Sequence, residues 1–237
     1  MTVYLVGAGP GDPELLTVRA ARLLAVADVV LYDRLVAKET LALAPDSADM
    51  IDVGKSAGNS STQSRINDRL VEAAVARPGA TIVRLKGGDP YLFGRGGEEV
   101  EALRGAGIDY QVVPGVTSAL AAPSAAGIPV THRDIARSVT IITGHDATDN
   151  EPIDWAPFAA MGRHHTLVVM MGARNRSTVA ASLIAAGASP DTPVAFIEQA
   201  TTSEQRILRG TLGDVESLDV RPPAVFVIGA VAAFADL

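Results

Sequence analysis

The sequence predicts an α/β protein made of two α/β domains, the first with a mostly parallel sheet and the second with a mixed one. Three observations carry that expectation. Residues 1–115 alternate short runs of branched apolar residues with segments of helical periodicity, the pattern of strands joined by crossover helices. Beyond Pro129 the strand-like runs outnumber the helical ones, which fits a mixed sheet. The chain has 237 residues, 48% hydrophobic and 20% charged, enough apolar material for a buried core in each half. The expected domains are residues 1–115 and 116–237.

In the first half, residues 2–6 alternate branched and aromatic side chains and read as a buried strand ending in Gly7-Ala8-Gly9-Pro10-Gly11. Asp12 has N-cap chemistry and Pro13 suits a first helical position. Leu15, Leu16, Ala20, Leu23 and Leu24 share one face of the helix expected there. Residues 29–32 form a second strand, with Asp33-Arg34 at its carboxyl end. A short helix over 39–44 stops at Pro45, and a third strand over 50–53 leads into Gly54-Lys55-Ser56-Ala57-Gly58. Ser60 and Gln63 have the spacing of a capping box. The helix after them carries Ile66, Leu70 and Ala74 and stops at Pro78-Gly79. The run 81–83 opens a fourth strand. Gly87-Gly88-Asp89-Pro90 then carries the chain toward a helix over 98–104, whose first turn holds Glu98 and Glu99. A fifth strand over 110–113 ends at Pro114-Gly115.

The second half opens with a small-residue helix over 116–127. Strands follow over 139–143, 166–171, 193–198, 205–210 and 224–228, with one strong helix over 177–186 and a polar loop over 147–156 that ends near Trp155, a packing anchor.

Composition excludes several classes of function. A net charge of −7 argues against general affinity for nucleic acid, whose phosphates need a basic surface. An anionic small substrate stays open, because a local group of Arg and Lys can dominate a site. With no cysteine there is no disulfide, no thiolate nucleophile and no Cys-type zinc or iron–sulfur centre. His164 and His165 lack the helical i, i+4 spacing of a metal pair, and no metal is expected. The first residues have neither a basic stretch nor a long apolar stretch, and the longest apolar run, 224–235, is shorter than the roughly 20 residues that cross a bilayer. A soluble cytoplasmic protein is expected, with no membrane and no nucleic-acid partner.

Four polar loops follow strands of the first half: Gly7 to Asp12, Asp33-Arg34, Gly54 to Gly58 and Lys86 to Asp89. Parallel strands bring such ends to one edge, where ligands of open α/β sheets bind. Gly87 and Gly88 leave no side chain between backbone and ligand, and Asp89 adds a carboxylate. No Gly-Lys-Ser/Thr follows, so this is not a phosphate loop. Residues 7–11 miss the dinucleotide fingerprint by one residue and carry Pro10, which weakens a nicotinamide-dependent reading.

Taken in order, these loops resemble the S-adenosylmethionine-dependent tetrapyrrole methylases. Val-Gly-Ala-Gly-Pro-Gly-Asp-Pro-Glu-Leu-Leu-Thr at 6–17 is similar to that family's opening motif. Tyr-Asp-Arg-Leu-Val at 32–36, Val-Gly-Lys-Ser-Ala-Gly at 53–58 and Gln63 with Ile66-Asn67 resemble one branch, the uroporphyrinogen-III C-methyltransferases. So do the stretch 84–99, Val-Pro-Gly-Val-Thr-Ser-Ala at 113–119 and Gly-Ile-Pro-Val-Thr-His-Arg-Asp at 127–134. The likeness runs through the whole chain, which is expected to be a stand-alone enzyme and not part of a fused sirohaem synthase.

The resemblance implies two α/β domains with a cleft between them, a homodimer, and S-adenosylmethionine as methyl donor without a metal. It places donor contacts at Pro10, Gly87, Gly88, Asp89, Leu92, Thr117, Ser118, Met171 and Ala200, the last a departure from the Gly common among close relatives. It implies Asp33 as proton acceptor and Lys55 as proton donor. The implied substrate, uroporphyrinogen III, is rich in carboxylates, and Arg34, Arg95, Arg133 and Arg137 are candidates to bind them. A solvated surface charge is the plainer reading for each of these. Other methylases of the family, a catalytically silent ligand-binding module on the same fold, and a dinucleotide-dependent oxidoreductase are the rival readings.

Overall fold

The structure, a computed structural model, describes residues 2–54, 63–144 and 153–236. Two compact units divide the chain, Met1–Thr117 and Ser118–Leu237.

The first unit is built on strands β1 (Thr2–Gly7), β2 (Val29–Tyr32), β3 (Asp49–Asp52), β4 (Ile82–Lys86) and β5 (Asp109–Val113), with helices α1 (Val18–Leu24), α2 (Lys38–Leu41), α3 (Gln63–Ala76) and α4 (Gly96–Gly105) between them. The five strands form one sheet in the order β3-β2-β4-β1-β5, every pair parallel. Period-2 alternation divides their side chains between two cores. Val3, Leu5, Val29, Leu31 and Ile82 face α3 and α4, meeting Ile66, Leu70, Val100 and Leu103. Val6, Val30, Val83, Leu85 and Val113 face the other way, against Ala20 and Leu24 of α1. Each such side chain contributes roughly 1.5–3 kcal/mol when fully buried, so both faces must be covered, as in parallel sheets generally.

The start of α1 differs from expectation. Asp12 Oδ1 accepts from Glu14 N at 2.8 Å, but it caps only a 3₁₀ turn, Pro13–Leu15. Leu16 is extended, and Thr17 caps the α-helix proper through Ala20 N at 3.1 Å. Both residues have cap chemistry, and the second wins because a helix that starts directly after it, at Val18, presents Ala20 and Leu24 to the core.

The second unit holds α5 (Ser118–Ala125), β6 (Ser138–Thr143), α6 (Ala156–Ala160), β7 (His165–Met170), α7 (Arg176–Ala185), β8 (Pro193–Glu198), β9 (Arg206–Thr211) and β10 (Ala224–Ile228). Its sheet runs β6-β7-β10-β8-β9. The β6–β7 pair is parallel, and the other three pairs are antiparallel. Phe196 and Phe226 stack at 4.1 Å at the centre of a core that includes Leu167, Val179, Leu183 and Trp155. The helix α6 was not expected. Its five residues include Pro157 in the first turn and are too few to show a periodicity. His165 lies in β7, where its Nδ1 meets Ser138 Oγ at 2.8 Å.

The end of β8 is held by an ion pair. Glu198 is buried, and it accepts from Arg206 Nε at 2.8 Å, Arg206 Nη2 at 3.0 Å and Arg221 N at 2.6 Å. Burial pushes its carboxyl up, but the bonds from Arg206 and Arg221 together outweigh burial and hold it below its ordinary value. A lowered acid contributes stability that is fully present above its unfolded value, about pH 4.3, and lost as pH falls through the folded one. Glu198→Gln is therefore expected to lower unfolding free energy by roughly 1–3 kcal/mol near neutral pH. Urea titrations should show the gap to wild type narrowing as the pH is lowered below that unfolded value and the wild-type carboxyl takes up its proton.

Candidate active site

All five strands of the first sheet point the same way, so the loops that leave their carboxyl ends gather at one edge. Backbone bonds stitch two of these loops together. Ala8 N donates to Lys86 O at 2.7 Å, Gly9 N to Gly88 O at 3.2 Å and Gly88 N to Gly9 O at 2.7 Å. A third loop joins through glycine. A Cβ placed on Gly7 would lie 2.5 Å from Gly115 Cα and 2.6 Å from Gly88 O. Three backbones therefore meet at Gly7, Gly88 and Gly115 with no room for a methyl group. Above Gly87 the situation reverses, since a Cβ there would find only Leu35 Cβ, at 3.9 Å. The cradle is closed beneath and open on the side where a ligand would lie.

Asp89 locks this arrangement. Its Oδ1 accepts from Tyr91 N at 2.8 Å and its Oδ2 from Gly115 N at 3.0 Å. Both oxygens thus serve the protein's own backbone, a role the sequence did not reveal. Phe93 (φ 56°) and Arg95 (φ 57°) follow in the left-handed region, a cost found where a loop is over-determined by its surroundings. Leu92, just before them, is half-buried, as are Pro10, Thr117 and Ser118; Ser118 opens α5.

Beside the cradle lies a cluster of buried charges. Arg84 and Lys86 share the alternating face of Ile82, and so point at α3 and α4. Asp33 follows Leu31 of that face by two residues. Arg84 Nη2 lies 2.5 Å from Asp33 Oδ1 and 3.0 Å from Glu99 Oε1, while Lys86 Nζ lies 2.8 Å from Glu99 Oε1 and 3.9 Å from Asp33 Oδ2. Arg84 Nε adds a bond to Glu99 Oε1 at 3.1 Å, and Gln63 Nε2 approaches it at 3.4 Å. Side-chain exposure is 1% for Arg84, 3% for Lys86 and 0% for Glu99, but 31% for Asp33. Asp33 is the one member of the four that presents to solvent. Burial lowers the Lys86 ammonium from its ordinary value and the neighbouring Arg84 lowers it further, against the pull of Glu99 and Asp33.

Glu99 stands in the first turn of α4, as the sequence predicts, and is in addition the buried partner of two cations. A signal was present. Arg84 and Lys86 sit at alternate positions of an apolar strand, and cations buried in a sheet covered on both faces need a carboxylate.

The remaining expected residues fall in separate places. Lys55 lies outside the described residues, as does Ser60. Arg34 is exposed at the end of β2, against Gly54 at the end of β3. Arg95 donates through Nε and Nη2 to both oxygens of Glu98, at 2.8 and 2.7 Å. In the second unit β6, β7 and β8 all run one way, and their carboxyl ends carry Gly144, Met171 and Ala200. Met171 is exposed with φ 56°, so it is not core filler. Ala200 is buried between Gln199 (φ 44°) and Thr201 (φ 66°). Asn175 Nδ2 ties this edge by donating to Gly144 O at 3.0 Å. Arg137 precedes β6, and its N donates to His164 O ahead of β7, so it lies at the opposite edge of the same sheet. Arg133 occupies the turn closed by His132 and Ala136.

Residues 2–216 match the family model described as Tetrapyrrole (Corrin/Porphyrin) Methylases. The chain is a tetrapyrrole methylase. It is 50% identical to an S-adenosyl-L-methionine-dependent uroporphyrinogen III methyltransferase of Methanosarcina barkeri, over 99% of this chain and 93% of that one. It is 51% identical to a siroheme synthase of Psychromonas ingrahamii, again over 99% of this chain, but spans only about half that protein's length, 49%. Among solved structures, uroporphyrin-III C-methyl transferase from Thermus thermophilus complexed with S-adenosylhomocysteine superposes with a TM-score of 0.86 at 45% identity, covering 99% of this chain and 100% of that one.

For this methylase, the open face above Gly87 and the tight backbone of Gly7, Gly88 and Gly115 fit a donor held by main-chain groups. Among the described residues no group of three or more His, Cys, Asp or Glu is placed to hold a metal, and no helix is long and apolar enough to cross a membrane.

Proposed function

We propose that this methylase transfers methyl groups from S-adenosylmethionine to C2 and then C7 of uroporphyrinogen III. Precorrin-2 is formed by way of precorrin-1, with release of two S-adenosylhomocysteine. The observation that carries this reading is the half-open Asp33 carboxylate, pinned by Arg84 next to a glycine cradle that leaves room for a ligand. Support for the substrate comes from the likeness to the Methanosarcina barkeri protein along nearly all of both chains.

The bound donor supplies an electrophilic methyl group on a sulfonium. The protein's part is alignment, which can lower a barrier by roughly 7–11 kcal/mol. Backbone groups at Pro10, Gly87 and Gly88, with Leu92, Thr117 and Ser118, are the proposed donor contacts in the first unit and at the start of α5. Asp89 is a further proposed donor contact, and its bonds to Tyr91 N and Gly115 N keep that backbone in place. Met171 and Ala200 stand as further proposed contacts at the edge of the second sheet. A proton must leave the macrocycle after each transfer. Asp33 is the proposed acceptor, fixed by Arg84 and open to solvent on its other side. Lys55 is the proposed donor. Arg34, Arg95, Arg133 and Arg137 are proposed to meet the substrate's carboxylates. A homodimer and a cytoplasmic location complete the reading.

Incubation with uroporphyrinogen III and S-adenosylmethionine tests it. Two S-adenosylhomocysteine per macrocycle and the fluorescent oxidised product of precorrin-2 are expected. Donor binding without methyl transfer to this substrate would instead favour another tetrapyrrole or a silent binding module.

A further inference from the structure

We infer that Glu99 is a positioning residue for the reaction: through Arg84 and Lys86 it fixes where the Asp33 carboxylate points and how much positive charge faces it. This rests on the reading of Asp33 as proton acceptor.

The two carboxylates share the same two cations. Arg84 Nη2 bridges Asp33 Oδ1 and Glu99 Oε1 at 2.5 and 3.0 Å, and Lys86 Nζ is 2.8 Å from Glu99 and 3.9 Å from Asp33. Neither cation can move toward Asp33 without leaving Glu99. Among the described residues, the elements packed here present Asp33 from the end of β2, Arg84 and Lys86 from β4, Glu99 from α4 and the neutral amide of Gln63 from α3, two charges of each sign. Loss of the Glu99 charge would turn both cations onto Asp33.

Stability is a poor reason for this design. All the donors converge on Glu99 Oε1, while its buried Oε2 has no hydrogen-bond partner among the described residues. A buried, partly satisfied ionic group is often less stable than an apolar one of similar size. What the arrangement does supply is a fixed Asp33.

Glu99→Gln and Lys86→Met, each alone and combined with Asp33→Asn, test the inference. Folding is monitored by circular dichroism, and donor binding by calorimetry with S-adenosylhomocysteine. Glu99→Gln should lower kcat about 10–100-fold with donor Kd unchanged, and should move the acid limb of the kcat/KM profile to lower pH. Lys86→Met removes a cation and should move that limb to higher pH. Neither change should lower turnover further in the Asp33→Asn background. Limbs that stay in place, or losses equally large without the Asp33 carboxylate, would reduce Glu99 to a structural ion and overturn the inference. Full turnover by Asp33→Asn alone would instead remove the reading of Asp33 on which it rests.

Discussion

Asp33→Asn is expected to lower kcat by about 10²–10⁴-fold while S-adenosylhomocysteine binds as tightly as to wild type. The size follows from position. The asparagine amide occupies the same volume and can still accept from Arg84, so the end of β2 should keep its shape. What disappears is the group proposed to take the macrocycle proton. Among the described residues the nearest other carboxylate of the cluster, Glu99, is wholly buried and already holds Arg84 and Lys86. Single-turnover measurements sharpen the expectation. If proton removal follows methyl transfer, the first S-adenosylhomocysteine should still appear while the final product lags. Wild-type kcat in Asp33→Asn would refute the assignment.

Gly115→Ala should have the largest effect on the fold of the site. The added methyl would lie 2.7 Å from Gly7 Cα and closer still to Gly88 O, all of it backbone that no rotamer change can clear. Overpacking of this kind costs typically about 1–3 kcal/mol, and here relief must come from separating the loops after β1, β4 and β5. That separation would also pull Gly115 N from Asp89 Oδ2. Donor affinity should therefore fall by at least about tenfold along with the melting temperature. Gly87→Ala is the control, because its methyl enters open space. It should leave stability unchanged and, if the donor lies there, weaken donor binding alone. A Gly115→Ala protein with normal stability and donor affinity would show that these backbones can separate freely.

The parallel sheet was legible because residues 2–6, 29–32 and 110–113 are short runs rich in branched and aromatic residues, closed by Gly7, Asp33 and Pro114-Gly115 and separated by helical periodicity. Each of those runs became a strand, within one residue at its ends. The loops of the site were legible for the same reason, since glycine at a strand's carboxyl end marks close backbone approach. The partners of those loops were not. Asp89 bonds Gly115 across 26 residues, and Arg84 bonds Asp33 across 51, distances at which local pattern carries no information. Glu99 was legible as a first-turn acid of α4, but the two cations it holds were not. That second role depends on β4 lying between β2 and β1, and strand order is set by how helices pack, not by any one segment. Thr17 and Asp12 show the opposite limit, two adequate caps five residues apart between which only the helix's register against the core could choose.

Glu99 reaches the cluster only when α4 is docked on α3 and the sheet. The packing of Val100 and Leu103 thus gates the charge arrangement around Asp33. A molecule whose α4 has locally opened loses the counter-charge of Arg84 and Lys86 at the same moment. With Glu99 positioning Asp33 as inferred, partial unfolding and loss of chemistry are expected to coincide, so that loosened copies of the enzyme do not act as half-competent catalysts. Amide exchange in α4 would report the population that can react.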